Sequence, residues 1–141
     1  MRLWHYKLIP YLPKQMLVSQ WRECIAIKRQ WEKGTLKHRL VSYVTEYTKG
    51  YFYRYVWDVV EEMKKRGIKF QSKYLNEISM FTDGCQICSI SQHYLEHNDR
   101  YLKQCLYNLQ EKYDRGIISQ EEWDNILYNV GYELYERGEF K

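Results

Sequence analysis

The chain has 141 residues, a formal net charge of +4, and 45% hydrophobic and 28% charged residues, which is ordinary for one globular domain with a real core. No apolar run approaches the ~20 residues that a membrane span needs, which excludes a membrane partner. The positive charge permits nucleic acid binding, and the 15 tyrosines suit stacking on bases or on partner proteins. Four cysteines without a secretion signal indicate thiols in a reducing cytoplasm.

The segment from Pro13 to Trp31 predicts a long helix, because its only proline stands at the first position and it contains no glycine. At 3.6 residues per turn, one stripe of this helix can be buried. That stripe comprises Leu17, Trp21, Cys24 and Lys28, with Ile25 beside it. A second, polar stripe comprises Gln15, Ser19, Arg22, Glu23 and Ala26, and its small residues leave room for a ligand around the charged pair.

Two interpretations of Arg22 and Glu23 compete. A solvated helix face is the commoner place for such a pair. A functional role is favoured by the N-terminal segment, which is apolar and aromatic from its third residue, without a signal peptide or flexible leader. We expect that segment to pack into the core and to hold the α-amine near the body of the protein. Methionine removal needs a small second residue, and Arg2 is large, so Met1 should be retained.

A basic stretch follows the long helix, and aromatic residues follow that stretch. The basic residues are Lys28, Arg29, Lys33, Lys37, His38 and Arg39, and the aromatic ones are Tyr43, Tyr47, Tyr51, Phe52 and Tyr53, with Lys49 among them. A solvated helix end with a connecting segment explains the pattern as well as a nucleic-acid groove does, since a groove needs phosphate neutralisation beside stacking surfaces. A family resemblance that the N-terminal segment carries, given below, makes the groove our preferred interpretation.

The next helix is predicted from Tyr51 to Lys65, and Gly67 ends it in the C′ position. Its buried stripe is Val56, Val59, Val60 and Met63, with Trp57 alongside. Residues 68–84 look irregular, apart from one short helix at Lys73 to Met80. The apolar stripe of the helix from Tyr51 to Lys65 is core and not a cofactor site.

Four residues have the spacing of zinc ligands: Cys85, Cys88, His93 and His97. The pattern is similar to a zinc knuckle whose last ligand falls one residue early and is histidine in place of cysteine. Against zinc, His97-Asn98-Asp99 is also typical of a helix start, with Asn98 or Asp99 as the cap. Zinc is the minority interpretation, and no cofactor is our expectation.

The last forty residues predict a helical hairpin. Its first helix, Asn98 to Tyr113, carries Leu102, Cys105, Leu106 and Leu109 on one side. Ser119 and Glu122 form a capping box for a final helix to about Arg137. The stripe of that helix is Trp123, Ile126, Leu127, Val130 and Leu134. Such hairpins mediate self-association in other proteins, but folding back onto the core is the simpler interpretation.

Several short motifs together resemble one protein family. They are Met1-Arg2-Leu3-Trp4-His5, Leu12-Pro13, Gln15, Trp21-Arg22-Glu23 and the run from Glu61 to Gly67. In this order and spacing they resemble the pyrimidine-dimer DNA glycosylase family, of the phage endonuclease V type, over roughly the first 70 residues. His97-Asn98-Asp99 is a further match at the start of a later helix.

The resemblance implies a compact helical domain without a sheet that acts on DNA, as damaged duplex. It also implies chemistry by an N-terminal α-amine as nucleophile and a glutamate on the first long helix. Carried over, the nucleophile is the Met1 amine and the acid is Glu23. Arg2 and Arg22 match the family's phosphate-binding arginines, and Gln15 matches its polar residue near the helix start.

This chemistry follows from elementary reactivity. Unperturbed α-amines titrate near ~7.7–8.0 and lysine amines near ~10.4, so a useful fraction of an α-amine is neutral at pH 7. A neutral amine can attack C1′ of a deoxyribose, displace the base and leave an imine. A glutamate can then act as acid or base while the sugar ring opens and while an elimination breaks the strand. Arginines hold the phosphates. No metal is required.

The chain departs from the family pattern at specific places. The best-known members expose a threonine amine after methionine removal, whereas this chain should keep Met1. An arginine expected three residues after the glutamate is Ala26, so Lys28 or Arg29 would have to substitute. The C-terminal half differs altogether and lacks the aromatic residues that lie near damaged DNA in the phage enzyme.

We therefore predict an all-α fold, a compact single-domain helical bundle over residues 1–141. Its endonuclease V-like portion is 1–70, and its C-terminal helical hairpin, through which the chain could form an oligomer, is 98–141. We predict a cytoplasmic, repair-type DNA glycosylase with abasic-site lyase activity, using Met1 and Glu23. The predicted DNA contacts are Arg2, Gln15, Arg22, Lys28, Arg29, Lys37, His38 and Arg39. The alternative is a non-enzymatic helical module that binds nucleic acid or protein, stabilised by zinc at the four ligands or without it.

Overall fold

The computed structural model of the protein describes residues 1–82, 92–132 and 134. Within these ranges the chain forms helices and no strands, which confirms the predicted all-α class. The α-helices are α1 (Lys14–Lys33), α2 (Lys49–Lys65), α3 (Ser72–Thr82), α4 (Asp99–Asp114) and α5 (Gln120–Ile126). Two 3₁₀ helices (Tyr6–Tyr11 and Ser42–Glu46) and a π-helix (Leu127–Gly131) complete the regular structure of these ranges.

The helices begin and end close to the predicted residues. The long helix predicted at 13–31 is α1, and the short one predicted at 73–80 is α3. The helix predicted from Tyr51 is α2, which begins two residues earlier because Thr48 already has the extended backbone of an N-cap. Gly67 ends α2 as predicted, since its φ of 69° lets its N–H and that of Ile68 bond back to Lys64 and Met63.

The chain forms two compact units, and each is built from separate stretches of sequence. The prediction of a single domain stays a prediction. The first unit comprises residues 1–3 and 17–94 and contains most of α1 together with α2 and α3. Its core is apolar and includes Leu17, Trp21, Cys24 and Ile27 from α1, Phe52, Val56, Val59, Val60 and Met63 from α2, and Ile78 from α3.

The predicted buried stripes of the first unit are confirmed, and further residues of α1 and α2 are buried beside them. The α1 stripe is buried, including Lys28 at 5% exposure, and Ile25 beside it is half-buried. The α2 stripe is also buried. Ile27 of α1 and Phe52 of α2 are among these additions, and so is Gln20, a polar side chain on α1 that is only 1% exposed.

The second unit comprises residues 4–16 and 95–141, of which 4–16, 95–132 and 134 are described. Its first 3₁₀ helix packs on α5 and on the π-helix, and α4 packs on α5. Asn98 caps α4 by accepting the Tyr101 N–H at 2.9 Å. Ser119 and Glu122 form the predicted capping box at the start of α5. The predicted helical hairpin is therefore confirmed up to Ile126.

The final helix differs from the prediction beyond Ile126. The α-helix changes at Leu127 into a π-helix, whose wider turns shift the positions that face the core. Leu127 and Val130, predicted to be buried, are consequently only half-buried, whereas Leu134 is buried. The predicted end at Arg137 lies outside the described residues.

Candidate active site

The N-terminus of the chain is anchored by a buried residue, two positions after Met1. Leu3 is fully buried, whereas Met1 is 37% exposed. The α-amine forms no ion pair with any carboxylate in the described ranges. The amine thus belongs to an exposed residue whose neighbours in sequence are fixed.

Glu23 lies beside this N-terminus. The Arg2 N–H donates to Oε2 of the half-buried Glu23 carboxylate at 3.5 Å. Three covalent bonds separate the α-nitrogen from the Arg2 nitrogen, so standard bond lengths place it within about 7 Å of that oxygen. The two residues predicted to be catalytic are therefore brought together by the structure.

The two oxygens of the Glu23 carboxylate have different surroundings. Oε2 accepts the Arg2 N–H and also the side-chain N–H of Gln20, the latter at 3.3 Å. Oε1 accepts no hydrogen bond from any residue that the structure describes. One oxygen is therefore held in place, while the other accepts no hydrogen bond within the described ranges.

Gln20 was missed by the sequence analysis, although it contacts both ends of this arrangement. Its amide Nε2 donates to the Arg2 carbonyl at 2.9 Å as well as to Glu23. Its Oε1 accepts the Tyr55 hydroxyl at 3.1 Å. The one available signal was its spacing, since a residue three positions before Glu23 lies on the same helix face.

The two arginines predicted to bind phosphate are next in sequence to the residues of this site. Arg22 adjoins Glu23 on α1 and is exposed, without an ion pair in the described ranges. Arg2 is half-buried. Its backbone N–H donates to Glu23, and its backbone carbonyl accepts from Gln20. Gln15 is exposed on the first turn of α1, in the second unit, and its predicted role stays a prediction.

A comparison with family models identifies what this site resembles. The model of pyrimidine dimer DNA glycosylases matches residues 1–76, which is more than half of the chain. The chain belongs to the pyrimidine dimer DNA glycosylase family. No curated protein and no solved structure matches it. Family membership makes DNA the substrate and glycosylase activity the general class of reaction.

Lys28, predicted as a contact of this glycosylase with DNA, is enclosed instead. Its ammonium pairs with Glu32 at 3.1 Å and with Glu77 at 3.4 Å. It also lies over the Phe81 ring, 5.6 Å from the centroid. Its charge is compensated inside the protein, so we leave Lys28 out of the proposed DNA surface.

Arg29 shares the carboxylate of Glu77 but reaches solvent. Its Nε and Nη2 donate to the two Glu77 oxygens at 3.2 and 3.4 Å. These hydrogen bonds are the first cause of the lowered pKa of Glu77, and Lys28 adds to them. With half of its side chain exposed, Arg29 is a weaker candidate for phosphate than a residue without a partner.

The remaining basic residues of the predicted groove lie on the surface. Lys37, His38 and Arg39 are exposed. In the ranges described, neither Lys37 nor Arg39 forms an ion pair, whereas His38 turns its Nδ1 to accept the Leu40 N–H. Lys37 and Arg39 therefore remain suited to phosphate contact.

The aromatic part of the predicted groove is only partly accessible. Phe52 and Tyr53 are buried, so neither can stack on a base. The half-buried Tyr43, Tyr47 and Tyr51 pack around buried Tyr94 with ring centroids between 4.8 and 5.7 Å. In this cluster, four of the 15 tyrosines that had suggested stacking on bases pack with one another.

The four predicted zinc ligands are only partly described. Cys85 and Cys88 lie outside the described residues. Nδ1 of buried His97 accepts the Tyr6 N–H at 3.3 Å, which assigns the ring proton to Nε2. A zinc-bound histidine normally donates its other N–H, so this hydrogen bond disfavours His97 as a ligand. Zinc binding itself stays a prediction.

The pKa of His93 is also shifted. Burial, together with the charge of Arg54, lowers its pKa from the ordinary value. Its imidazole is therefore favoured in the neutral form.

One further finding concerns membranes. Within the described ranges, no helix is both long and apolar enough to cross a bilayer.

Proposed function

We propose that the chain excises a damaged base from duplex DNA and then cleaves the strand at the abasic site, through an imine on the Met1 α-amine. The observation that carries this proposal is the hydrogen bond from the Arg2 N–H to Glu23 Oε2, which holds the first peptide against a carboxylate. An exposed amine and a half-buried carboxylate held this close can act on one sugar.

The first chemical step replaces a bond to the base with a bond to the protein. The neutral Met1 amine attacks C1′, and the damaged base leaves with the electron pair of the glycosidic bond. The nitrogen, which becomes positively charged on attack, gives up a proton. A proton transferred to the ring oxygen O4′ then lets the C1′–O4′ bond break, and the nitrogen lone pair forms the C=N bond. Glu23 Oε1 is suited to carry this proton, since Oε2 is engaged by Arg2 and Gln20.

The second step breaks the strand. A base removes a proton from C2′, the electrons of that bond form a C=C bond conjugated with the imine, and the 3′ phosphate leaves. The same carboxylate is the base that the arrangement offers. Water then hydrolyses the imine and releases the amine for another cycle.

Positively charged side chains of the first unit support the DNA backbone in this proposal. The exposed Arg22, Lys37 and Arg39 are the main candidates, joined by Arg2 and Arg29, and His38 can add a hydrogen bond from its other ring nitrogen. Each phosphate contact contributes to affinity by releasing counterions and fixes the duplex while the chemistry proceeds at the N-terminus.

Borohydride trapping on duplex DNA with one abasic site tests this proposal directly. Borohydride reduces the imine to a stable amine, so the covalent adduct maps to the Met1 peptide. Acetylating the α-amine, or extending the chain before Met1, should abolish the adduct while the helical circular dichroism is preserved. A covalent adduct from the blocked chain would contradict the role of Met1, and exposed Lys37 would then be the first lysine to examine.

Glu23→Gln tests the acid–base role separately. The amide keeps the shape of the side chain but removes its proton-transfer function, so turnover should fall by ~10²–10⁴-fold. DNA affinity should hold or rise, because a negative charge near phosphates has been removed. Glu46→Gln, at an exposed carboxylate of the same unit, is the matched control and should behave as the wild type. Binding without any adduct in the wild type would support the non-enzymatic module instead.

A further inference from the structure

Gln20 connects the N-terminal peptide to the acid–base carboxylate from a fully buried position. It is 1% exposed and lies one helical turn before Glu23 on α1. One side-chain nitrogen reaches two acceptors, the Arg2 carbonyl at 2.9 Å and Glu23 Oε2 at 3.3 Å. Its carbonyl oxygen reaches the hydroxyl of Tyr55, which is itself 3% exposed, at 3.1 Å.

Chemistry fixes the orientation of this amide. A backbone carbonyl and a carboxylate only accept hydrogen bonds, so the NH₂ group must be the end that faces Arg2 and Glu23. The opposite end is then an oxygen that can only accept, which makes the Tyr55 hydroxyl the donor. No side chain other than an amide offers two N–H donors and an oppositely placed acceptor, so Gln20 cannot be replaced by another residue type without losing a contact.

The contacts restrain the residue that follows the amine. Chain ends are usually mobile unless something holds them. Here the Arg2 N–H is held by Glu23 and the Arg2 carbonyl is held by Gln20, so both sides of one residue are fixed. Because Glu23 Oε2 accepts from Arg2 and from Gln20, the amine and the carboxylate share one set of supports.

We infer that Gln20, oriented by Tyr55, is a positioning residue that sets the Met1 amine and the Glu23 carboxylate at the distance that imine formation needs. This inference rests on the proposed function. Gln20 does not touch the substrate in this account; it acts through Arg2 and Glu23. A misplacement of about 1 Å between reacting groups can lower a rate by roughly 10²-fold, so loss of this support should affect the chemical step.

Single-turnover borohydride trapping separates positioning from simple stabilisation. The rate constant reports the geometry of folded molecules, whereas the amplitude of the adduct reports how many molecules are folded. Replacing a purely structural side chain changes the amplitude and the melting temperature, but the rate constant stays the same. Affinity for a duplex that carries a tetrahydrofuran abasic analogue, which forms no imine, reports binding separately.

Two substitutions remove the contacts with little change of volume. Gln20→Met removes every side-chain hydrogen bond of Gln20, and we expect a trapping rate constant lower by about 10²-fold with analogue affinity nearly unchanged. Tyr55→Phe removes only the hydroxyl that orients the amide, and we expect a smaller loss. The double variant should be no slower than Gln20→Met, because Tyr55 acts through Gln20.

Matched controls come from the same helices. Gln30→Met makes the same replacement on α1, away from the N-terminal peptide, and Tyr53→Phe removes a hydroxyl from another buried tyrosine of α2. Both should trap at the wild-type rate constant.

The outcomes separate this inference from the proposed function. A wild type trapped at Met1, with Gln20→Met and Tyr55→Phe equally fast, overturns the positioning role and leaves the proposed function standing. If Gln20→Met does not fold, the rate constant of Tyr55→Phe decides: a reduced value supports the inference and a wild-type value overturns it. A wild type that gives no adduct, or an adduct on a lysine, overturns the proposed function and this inference with it.

Discussion

Lys28 offers a test of whether burial or charge decides the role of a basic residue on α1. Its ammonium contacts Glu32 and Glu77, and the residue is 5% exposed. A cation already paired with carboxylates inside the protein neutralises no DNA phosphate, so it releases none of the counterions condensed on the DNA. Lys28→Met should therefore leave the slope of log K against log salt unchanged, whereas Lys37→Met, at an exposed lysine, should reduce it by about 0.9 on duplex DNA.

The carboxylates of Glu32 and Glu77 also determine how much Lys28→Met should change the free energy of unfolding. Removing one partner of a buried ion pair can destabilise by about 3–5 kcal/mol when the charge left behind is buried. Lys28→Met leaves only Glu32 and Glu77, whose side chains are 56% and 32% exposed, and Glu77 keeps Arg29. We expect the free energy of unfolding to change by no more than about 1 kcal/mol.

Glu77→Gln is the opposite perturbation. It leaves the buried ammonium of Lys28 with Glu32 alone, so we expect a loss of roughly 1.5–3 kcal/mol, the range for hydrogen bonds to charged groups. The pKa of the Glu77 carboxyl is lowered from its ordinary value of 4.5. A lowered folded pKa means that the contribution of Glu77 is complete above the unfolded pKa and is lost as the pH falls below it. The stability difference between wild type and Glu77→Gln should therefore shrink below about pH 4.5.

Urea unfolding gives the free energies, and fluorescence anisotropy of a labelled duplex between about 50 and 200 mM salt gives the slopes. If Lys28→Met flattened the salt dependence as much as Lys37→Met, Lys28 would contact DNA despite its burial. A Glu77→Gln variant as stable as the wild type would show that Glu32 alone suffices for the ammonium.

Three further predictions follow from residues described above. Arg22→Ala should weaken duplex binding and reduce the salt slope by about 0.9, whereas Arg115→Ala, at an exposed arginine of the second unit, should not; equal slopes for both would remove Arg22 from the DNA surface. Burial, and secondarily the charge of Glu23, raises the pKa of the Cys24 thiol, so Cys24 should react with Ellman's reagent only after urea unfolding; rapid labelling of the native protein, traced by peptide mapping, would contradict this. Gly67→Ala should destabilise by roughly 1–2 kcal/mol in urea, because its φ is +69° although open space surrounds it; an unchanged midpoint would mean that α2 ends differently.

Features that depend on neighbours in sequence were predictable. The Ser119–Glu122 capping box and the Asn98 cap are formed as expected, because each needs only residues within one helical turn. The buried stripe of α2 follows from apolar spacing alone.

Features that depend on distant partners were not predictable. Two rules conflicted at Lys28, since spacing placed it on the buried stripe while charge placed it on DNA. Glu77, which resolves the conflict, lies 49 positions away. Gln20 carries no apolar signal, and its partners Arg2 and Tyr55 are 18 and 35 positions distant.

The division of the chain into units bears on how this protein could be shortened or recombined. The family match ends at residue 76, but residues 4–16 belong to the unit that continues from residue 95. Within that unit, Tyr6 bonds to His97, and the 3₁₀ helix at 6–11 packs against α5. A fragment cut at the end of the family match would therefore separate this 3₁₀ helix, which carries buried Leu8 and Ile9, from the α5 helix on which it packs. A viable crossover between relatives would have to exchange residues 4–16 and the C-terminal segment together.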